Sequence, residues 1–215
     1  MTERLEIIFS EIPVSSLFAD VGCDHGYIGA EMIKSGKCEK AIFSDVSAPS
    51  LKKAKVLLEK SGLKEKAEFY VCDGLDFPEN PDTVLIAGMG GEEIVKILSL
   101  SEKRPDNLVL QPMKNARKLR EFLVGAGYAI NKDYVFFSAK KYYDIIVAFK
   151  GEDALTEEEK EFGRTNIKEK PAAFIMRVKE RKEDLCFYLK NDLSKDSERK
   201  IKEEIKRLDE IICSR

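Results

Sequence analysis

The chain has no tryptophan and one histidine, and no apolar run approaches the ~18–20 residues that cross a bilayer. With His25 alone, a metal centre built from several imidazoles is excluded. Cys23, Cys38, Cys72, Cys186 and Cys213 are scattered without a Cys-x-x-Cys pair. That spacing argues against a zinc site or a disulfide frame and for the reduced thiols of a cytoplasmic protein. The opening Met-Thr-Glu-Arg-Leu-Glu does not read as a secretory leader. An excess of one charge is also missing. The 37 basic residues stand against 39 acidic ones, for a net charge of −2. Any nucleic-acid contact must therefore use a local basic patch.

What is present is an alternation of short apolar runs and helical patterns. Residues 17–21, 40–44, 67–71, 83–87 and 107–110 read as strands, with helices over 27–35, 49–60, 92–100 and 116–125. A short helix precedes them up to Glu11, and 128–137 with 142–150 form a closing hairpin. The expected fold is α/β: a Rossmann-like, mostly parallel sheet with one antiparallel strand, covered on both faces. Such sheets bind ligands at the carboxyl edge of their strands. Asp20–Gly26, Asp45, Asp73-Gly74, Gly88–Gly91 and Gln111 all fall at that edge.

The turn Asp20-Val-Gly-Cys-Asp-His-Gly joins the first strand to its helix and holds the only histidine. It is not the G-x-G-x-x-G of a dinucleotide site, because Asp24 replaces a small residue and the third glycine is misplaced. Gly22 permits close backbone approach. Asp45 ends the second strand, where a carboxylate holds ribose hydroxyls, with Val46 beside it. Asp73 ends the third strand, where it can accept from an adenine amine. Acidic walls suit a cationic nucleoside, and S-adenosylmethionine is the ligand favoured over NAD or FAD. His25 is read as ordering the turn, not as a metal ligand or a base. After the fourth strand, Ala87-Gly-Met-Gly-Gly91 offers a flat floor on which Met89 and Gly90 can meet a planar base. The Asn/Asp-Pro-Pro-aromatic clamp of amino-methyltransferases is absent there, so a ring nitrogen is the better acceptor of a methyl group. Lys114, Arg117, Lys118, Arg120, Lys140 and Lys141 make up the candidate patch for an RNA backbone, and Gln111 is a further candidate contact with the RNA substrate.

Beyond Gly151 the chain is about half charged, with 16 basic and 17 acidic residues that nearly cancel. Thr156-Glu-Glu-Glu159 has capping-box spacing. Phe174, Val178, Leu185 and Leu189 form one stripe, and Ile201, Ile205, Leu208 and Ile212 another, with a turn over Asn191–Ser197. Two antiparallel helices are expected. The domain division is 1–151 and 152–215.

The segments Phe18–Gly29, Leu85–Gly91, Leu108–Pro112 and Tyr143-Asp-Ile-Ile resemble the bacterial TrmK family. Its members are S-adenosylmethionine-dependent methyltransferases that modify N1 of adenosine 22 in tRNA. The resemblance spans nearly the whole chain, and in the tail it is one of architecture. It implies a class I methyltransferase with a C-terminal coiled-coil hairpin. Asp20, Gly22, Cys23, Asp24, His25 and Gly26 would line the cofactor turn. Asp45 and Val46 would lie at the ribose, Asp73 and Gly74 at the adenine, and Ala87, Gly88 and Met89 at the methyl group. Where the family motif commonly reads Asp-His-Ala-Tyr-Leu-Pro, this chain has Gly26, Ile28 and Gly29. Asp24 is the candidate catalytic acid, and Tyr27 or Tyr143 would stack on the target base. The expected partner is tRNA, bound by a monomer without metal or membrane. The alternatives are a small-molecule methyltransferase and a non-catalytic RNA-binding module of the same fold.

Overall fold

The computed structural model describes residues 1–191 and 194–213. Seven strands build one sheet: β1 (Ser15–Val21), β2 (Cys38–Asp45), β3 (Ala67–Val71), β4 (Thr83–Met89), β5 (Asn107–Pro112), β6 (Tyr128–Ser138) and β7 (Lys141–Lys150). Their order is β3-β2-β1-β4-β5-β7-β6, with β7 antiparallel to both neighbours and the other pairs parallel. This is the class I methyltransferase arrangement, with the single antiparallel strand expected. The order reverses at β1, which lies between β2 and β4, so the crevice for a ligand opens above β1.

Alternation along the strands sorts side chains to the two faces. On β4, Val84 and Ile86 join a core completed by Ile94 and Leu98 of α4 (Gly91–Leu100) and Leu119 and Leu123 of α5 (Ala116–Gly125). Leu85 between them faces the other layer. There it meets Ile8 of α1 (Glu3–Glu11), Met32 of α2 (Tyr27–Lys34) and Leu58 of α3 (Ala48–Lys60). Ser47 caps α3 by accepting from the Ser50 N–H at 3.3 Å. β4 runs two residues past its expected end, because Met89 still pairs with Pro112 across a bulge.

The tail holds the expected pair of helices, packed on each other, with two shorter ones before it. Four helical segments follow β7: α6 (Glu157–Phe162), α7 (Arg164–Glu169), α8 (Ala172–Tyr188) and α9 (Lys195–Cys213). The capping box at the start of α6 is present, with Thr156 accepting from Glu159 N–H and the Glu159 carboxylate accepting in return. Gly163 at φ +90° separates α6 from α7 and presses on the Arg120–Asp133 pair, where a Cβ would clash. Phe174, Val178, Leu208 and Ile211 close a third core against Phe162 and Val135 of β6. Ile211, and not Ile212, is the buried end of the α9 seam, in one cluster with Phe174 and Val178 of α8. α9 starts inside the expected turn, and Asp192 and Leu193 of that turn lie outside the described residues.

Candidate active site

A cavity of about 580 Å³ opens at the carboxyl ends of β1, β2, β3 and β4, roofed on one side by α1. Its floor is the β1–α2 turn. The N–H groups of Gly22 and Cys23 both donate to the Ser44 carbonyl, at 2.8 and 3.2 Å. This bends the chain off β1, and Gly22 takes φ +68° against the Met89 methyl, leaving no room for a Cβ. Asp20, buried in the sheet, accepts from the Gly29 N–H at 3.2 Å and ties β1 to α2. Asp45 accepts from the Asp24 N–H at 3.1 Å and the Ser47 N–H at 2.8 Å, so its carboxylate stands in one orientation. Ser44 donates to the Gly74 carbonyl at 3.0 Å and holds the end of β3 beside it.

The rim is charged. Asp24, in the left-handed region at φ 45°, pairs with His25 at 2.6 Å and with Lys53 at 3.4 Å. The His25 and Tyr27 rings lie parallel with centroids 5.4 Å apart. Burial alone would raise the Asp24 carboxyl, but His25 and Lys53 outweigh it and hold it below the usual range. Asp20 shifts the other way. Desolvation pushes it up to about 7 against the pull of the Gly29 N–H, with help from Asp45. Desolvation also raises the Cys23 thiol, so it stays protonated.

Of the residues expected at the cofactor, Asp20, Gly22, Cys23, Asp24, His25, Asp45, Val46, Asp73, Gly74, Ala87, Gly88 and Met89 line this one cavity. Gly26 does not, and instead packs behind the turn on Phe43 and Ala54. Tyr27 lines the cavity with its ring half exposed. Tyr143 is outside the lining, stacked on Phe136 and covered by the Arg4 guanidinium at 5.3 Å, so it offers no open face for a base.

Two candidates for RNA contact are corrected. Gln111 is fully buried as a β5 residue, accepting from Arg4 and donating to the Pro112 carbonyl at 3.1 Å. Arg120 is 1% exposed, because the tail helices cover that face of α5. It donates to Asp133 at 2.7 Å and to the carbonyls of Lys160 and Glu161. Arg117 remains on the surface but is neutralised by Glu121 and Glu157. Lys114 runs beside Gly90, and Lys140 is exposed at the tip of the β6–β7 hairpin. Sequence reasoning missed Thr2, Arg4 and Leu5, which α1 brings to the cavity, and Glu93 and Ile97 from α4. Glu93 lies two residues past a flagged glycine run, whereas nothing local marks Arg4.

Residues 1–146 match the methyltransferase domain family. The chain belongs to that family. Among curated relatives, this methyltransferase is 31% identical over 157 residues to the tRNA (adenine(22)-N(1))-methyltransferase of Bacillus subtilis strain 168. That match spans 71% of this chain and 66% of the relative, just under two thirds of its length. Streptococcus pneumoniae Sp1610, solved in complex with S-adenosyl-L-methionine, superposes with a TM-score of 0.88 at 29% identity over 99% of both chains. M. capricolum TrmK, solved with S-adenosyl-homocysteine, gives 0.89 at 25% identity over 99% of this chain and 97% of that one. The resemblance to the TrmK family read from the sequence therefore extends over the whole methyltransferase. Its cavity fits the ligand those structures carry: a left-handed glycine turn clears space, the Asp45 carboxylate is fixed by two N–H groups, and the walls are acidic toward a sulfonium.

Proposed function

We propose that the chain methylates N1 of adenosine 22 in tRNA, with S-adenosylmethionine as donor. Its 31% identity to the Bacillus subtilis enzyme of that name carries the reading. When bound, the donor supplies an electrophilic methyl group on a sulfonium. Everything else falls to the chain's own side chains. Asp45 accepts from the ribose hydroxyls, and Asp73 with Gly74 frames the adenine. Ala87–Met89 and Gly22 leave flat backbone beside the methyl position.

Attack by a neutral ring nitrogen needs orientation more than a base. Asp24 stays ionised near neutral pH, so its role is to stabilise the cationic methyladenine through its field. Tyr27, braced by His25, is the platform for the target base once it leaves the tRNA stack, a step costing a few kcal/mol. Lys114 and Lys140 of the catalytic unit 1–151, together with the unit 152–215, contact the tRNA body. The protein works as a monomer in the cytoplasm, and no helix among the described residues is long and apolar enough to span a membrane.

The test is incubation with labelled S-adenosylmethionine and unmodified tRNA transcripts, followed by mapping of the label. Label at adenine 22, lost when that base is guanine, is expected. Label elsewhere, or on small molecules only, overturns the reading. Asp24→Asn is expected to keep donor affinity and lower kcat at least tenfold, measured by single turnover. Full turnover would remove Asp24 from the chemistry.

A further inference from the structure

The turn between β6 and β7 is strained. Ser138 pairs with Lys141 across it, so Ala139 and Lys140 alone make the bend, at φ 47° and 63°. Both lie in the left-handed region, a two-residue turn that asparagine and glycine adopt easily and alanine and lysine do not. The turn fixes the next rung of the hairpin. Phe137 and Tyr142 stand directly opposite each other, with ring centroids 4.9 Å apart. Their planes are tilted by 56° and not stacked, so Tyr142 does not occupy the Phe137 face. Tyr142 is anchored from α8, donating to Glu180 at 2.6 Å. Phe137 has no such anchor and is 43% exposed. Lys140 and Lys141 beside it are exposed too, and neither meets a carboxylate among the described residues.

This corner belongs to the edge that carries the cavity. β7 is antiparallel to both β5 and β6, so β6 ends at Ser138 on the same side as the carboxyl ends of β4 and β5. Three strand spacings of about 4.8 Å, roughly 14 Å in all, separate β4 from β6. Ser138 donates to Glu3 at 2.7 Å, which joins the tip to the helix roofing the cavity. On the other flank α8 climbs toward the tip, with Arg177 meeting Asp144 and then Glu180 meeting Tyr142. The rest of α8, up to Tyr188, continues past the sheet edge. Phe137 therefore sits in the corner between cavity and tail.

We infer that Phe137 is a stacking platform for an unpaired nucleobase of the substrate RNA, on the strand that delivers the target adenine. At its distance from β4 it does not reach the target base and faces that base's neighbours instead. Taking one base out of a stack exposes the bases beside it, and a fixed aromatic ring receives one of them. Stacking asks for a π-face and for cations along the backbone, and Lys140 and Lys141 supply the cations. The proposal rests on the function proposed above.

The experiment measures binding of unmodified tRNA transcripts to full-length wild type, Phe137→Ala and Phe137→Tyr across a salt series. S-adenosylhomocysteine is titrated into the same three proteins by calorimetry. Phe137→Ala should weaken tRNA about five- to a hundredfold. The salt dependence should not change, because no charge is lost. Phe137→Tyr should bind tRNA as wild type does, and all three proteins should bind S-adenosylhomocysteine alike. Transcripts with a single abasic nucleotide, placed in turn at positions flanking adenosine 22, complete a double-mutant cycle. At the stacked position the missing base should weaken wild type and leave Phe137→Ala unaffected. Unchanged tRNA affinity in Phe137→Ala overturns the proposal, as do additive losses at every abasic position. An equal loss of S-adenosylhomocysteine binding also overturns it, because Phe137 then only supports the roof. Wild type that binds S-adenosylhomocysteine but no tRNA defeats the function proposed above. Phe137 is then judged on single-stranded oligoadenylate, which Phe137→Ala must bind more weakly than wild type.

Discussion

Among the described residues, carboxylates are buried in two places, and the two are built on different plans. At the tail junction, Asp133 is enclosed with its counter-ion: Arg120 donates at 2.7 Å, Thr165 N–H donates at 3.1 Å, and Asp144 joins through the Arg120 guanidinium at 3.5 Å. At the sheet edge, Asp20 is equally enclosed but has only the Gly29 N–H, with Asp45 adding repulsion. The junction carries its own guanidinium, although burial still raises the Asp133 carboxyl, whereas among the described residues no cation is paired with Asp20. An incomplete charge balance is costly for a fold, and it is what a site awaiting a cationic ligand requires.

Breaking the paired side should have the largest effect. Arg120→Met leaves Asp133 and Asp144 without their shared guanidinium. Chemical denaturation should show a loss of about 3–5 kcal/mol, with S-adenosylhomocysteine affinity per folded molecule unchanged. A loss under about 1 kcal/mol would mean that the junction is not held by this pair.

Next comes Asp20→Asn, which removes the uncompensated charge. The Asp20 carboxyl is raised from 3.8 to about 7 on folding, so the folded state holds its proton longer. Its contribution to stability is complete below the ordinary value and is lost as pH rises toward 7. Asp20→Asn should therefore gain on wild type between pH 4 and 8, by up to about 4 kcal/mol, read from melting curves. A pH-independent difference would remove the contrast between the two regions.

Within the cavity, Asp45→Ala should weaken S-adenosylhomocysteine by roughly ten- to a hundredfold, the range for hydrogen bonds to a charged group. Titration calorimetry measures it, and unchanged affinity would place the ribose elsewhere. The smallest change returns to the tail, where Thr156→Ala removes a helix cap for about 1 kcal/mol. That loss should appear in denaturation and leave donor binding alone.

How much of this was legible depends on how local each cause is. Asp20, Asp45 and Asp73 could be found because a strand's carboxyl end is marked by where its apolar run stops. Gln111 was misplaced because β5 continues through it to Pro112, a register set by β4 and not by its own neighbours. Arg120 looks like any helix-surface arginine until residues 157–169 fold over it. The α6–α7 break is also non-local, since Gly163 answers to the Arg120–Asp133 pair packed against it. Arg4 was invisible for the same reason, its acceptor lying 107 positions away.

The N-terminal helix carries a consequence for the order of folding. α1 is synthesised long before the groups it must meet: Glu3 accepts from Ser138, 135 positions on, and Glu11 from Lys132 and Tyr134. A nascent chain that has formed β1 to β3 already owns the ribose-side acids, yet it holds α1 only through α2 and Lys37 and lacks the helix's partners on β6. Contacts of such long separation form late, after the loop between them has closed. Donor-binding capacity should therefore arise in two stages during synthesis, with the roof fully fastened only after the β6–β7 hairpin has left the ribosome.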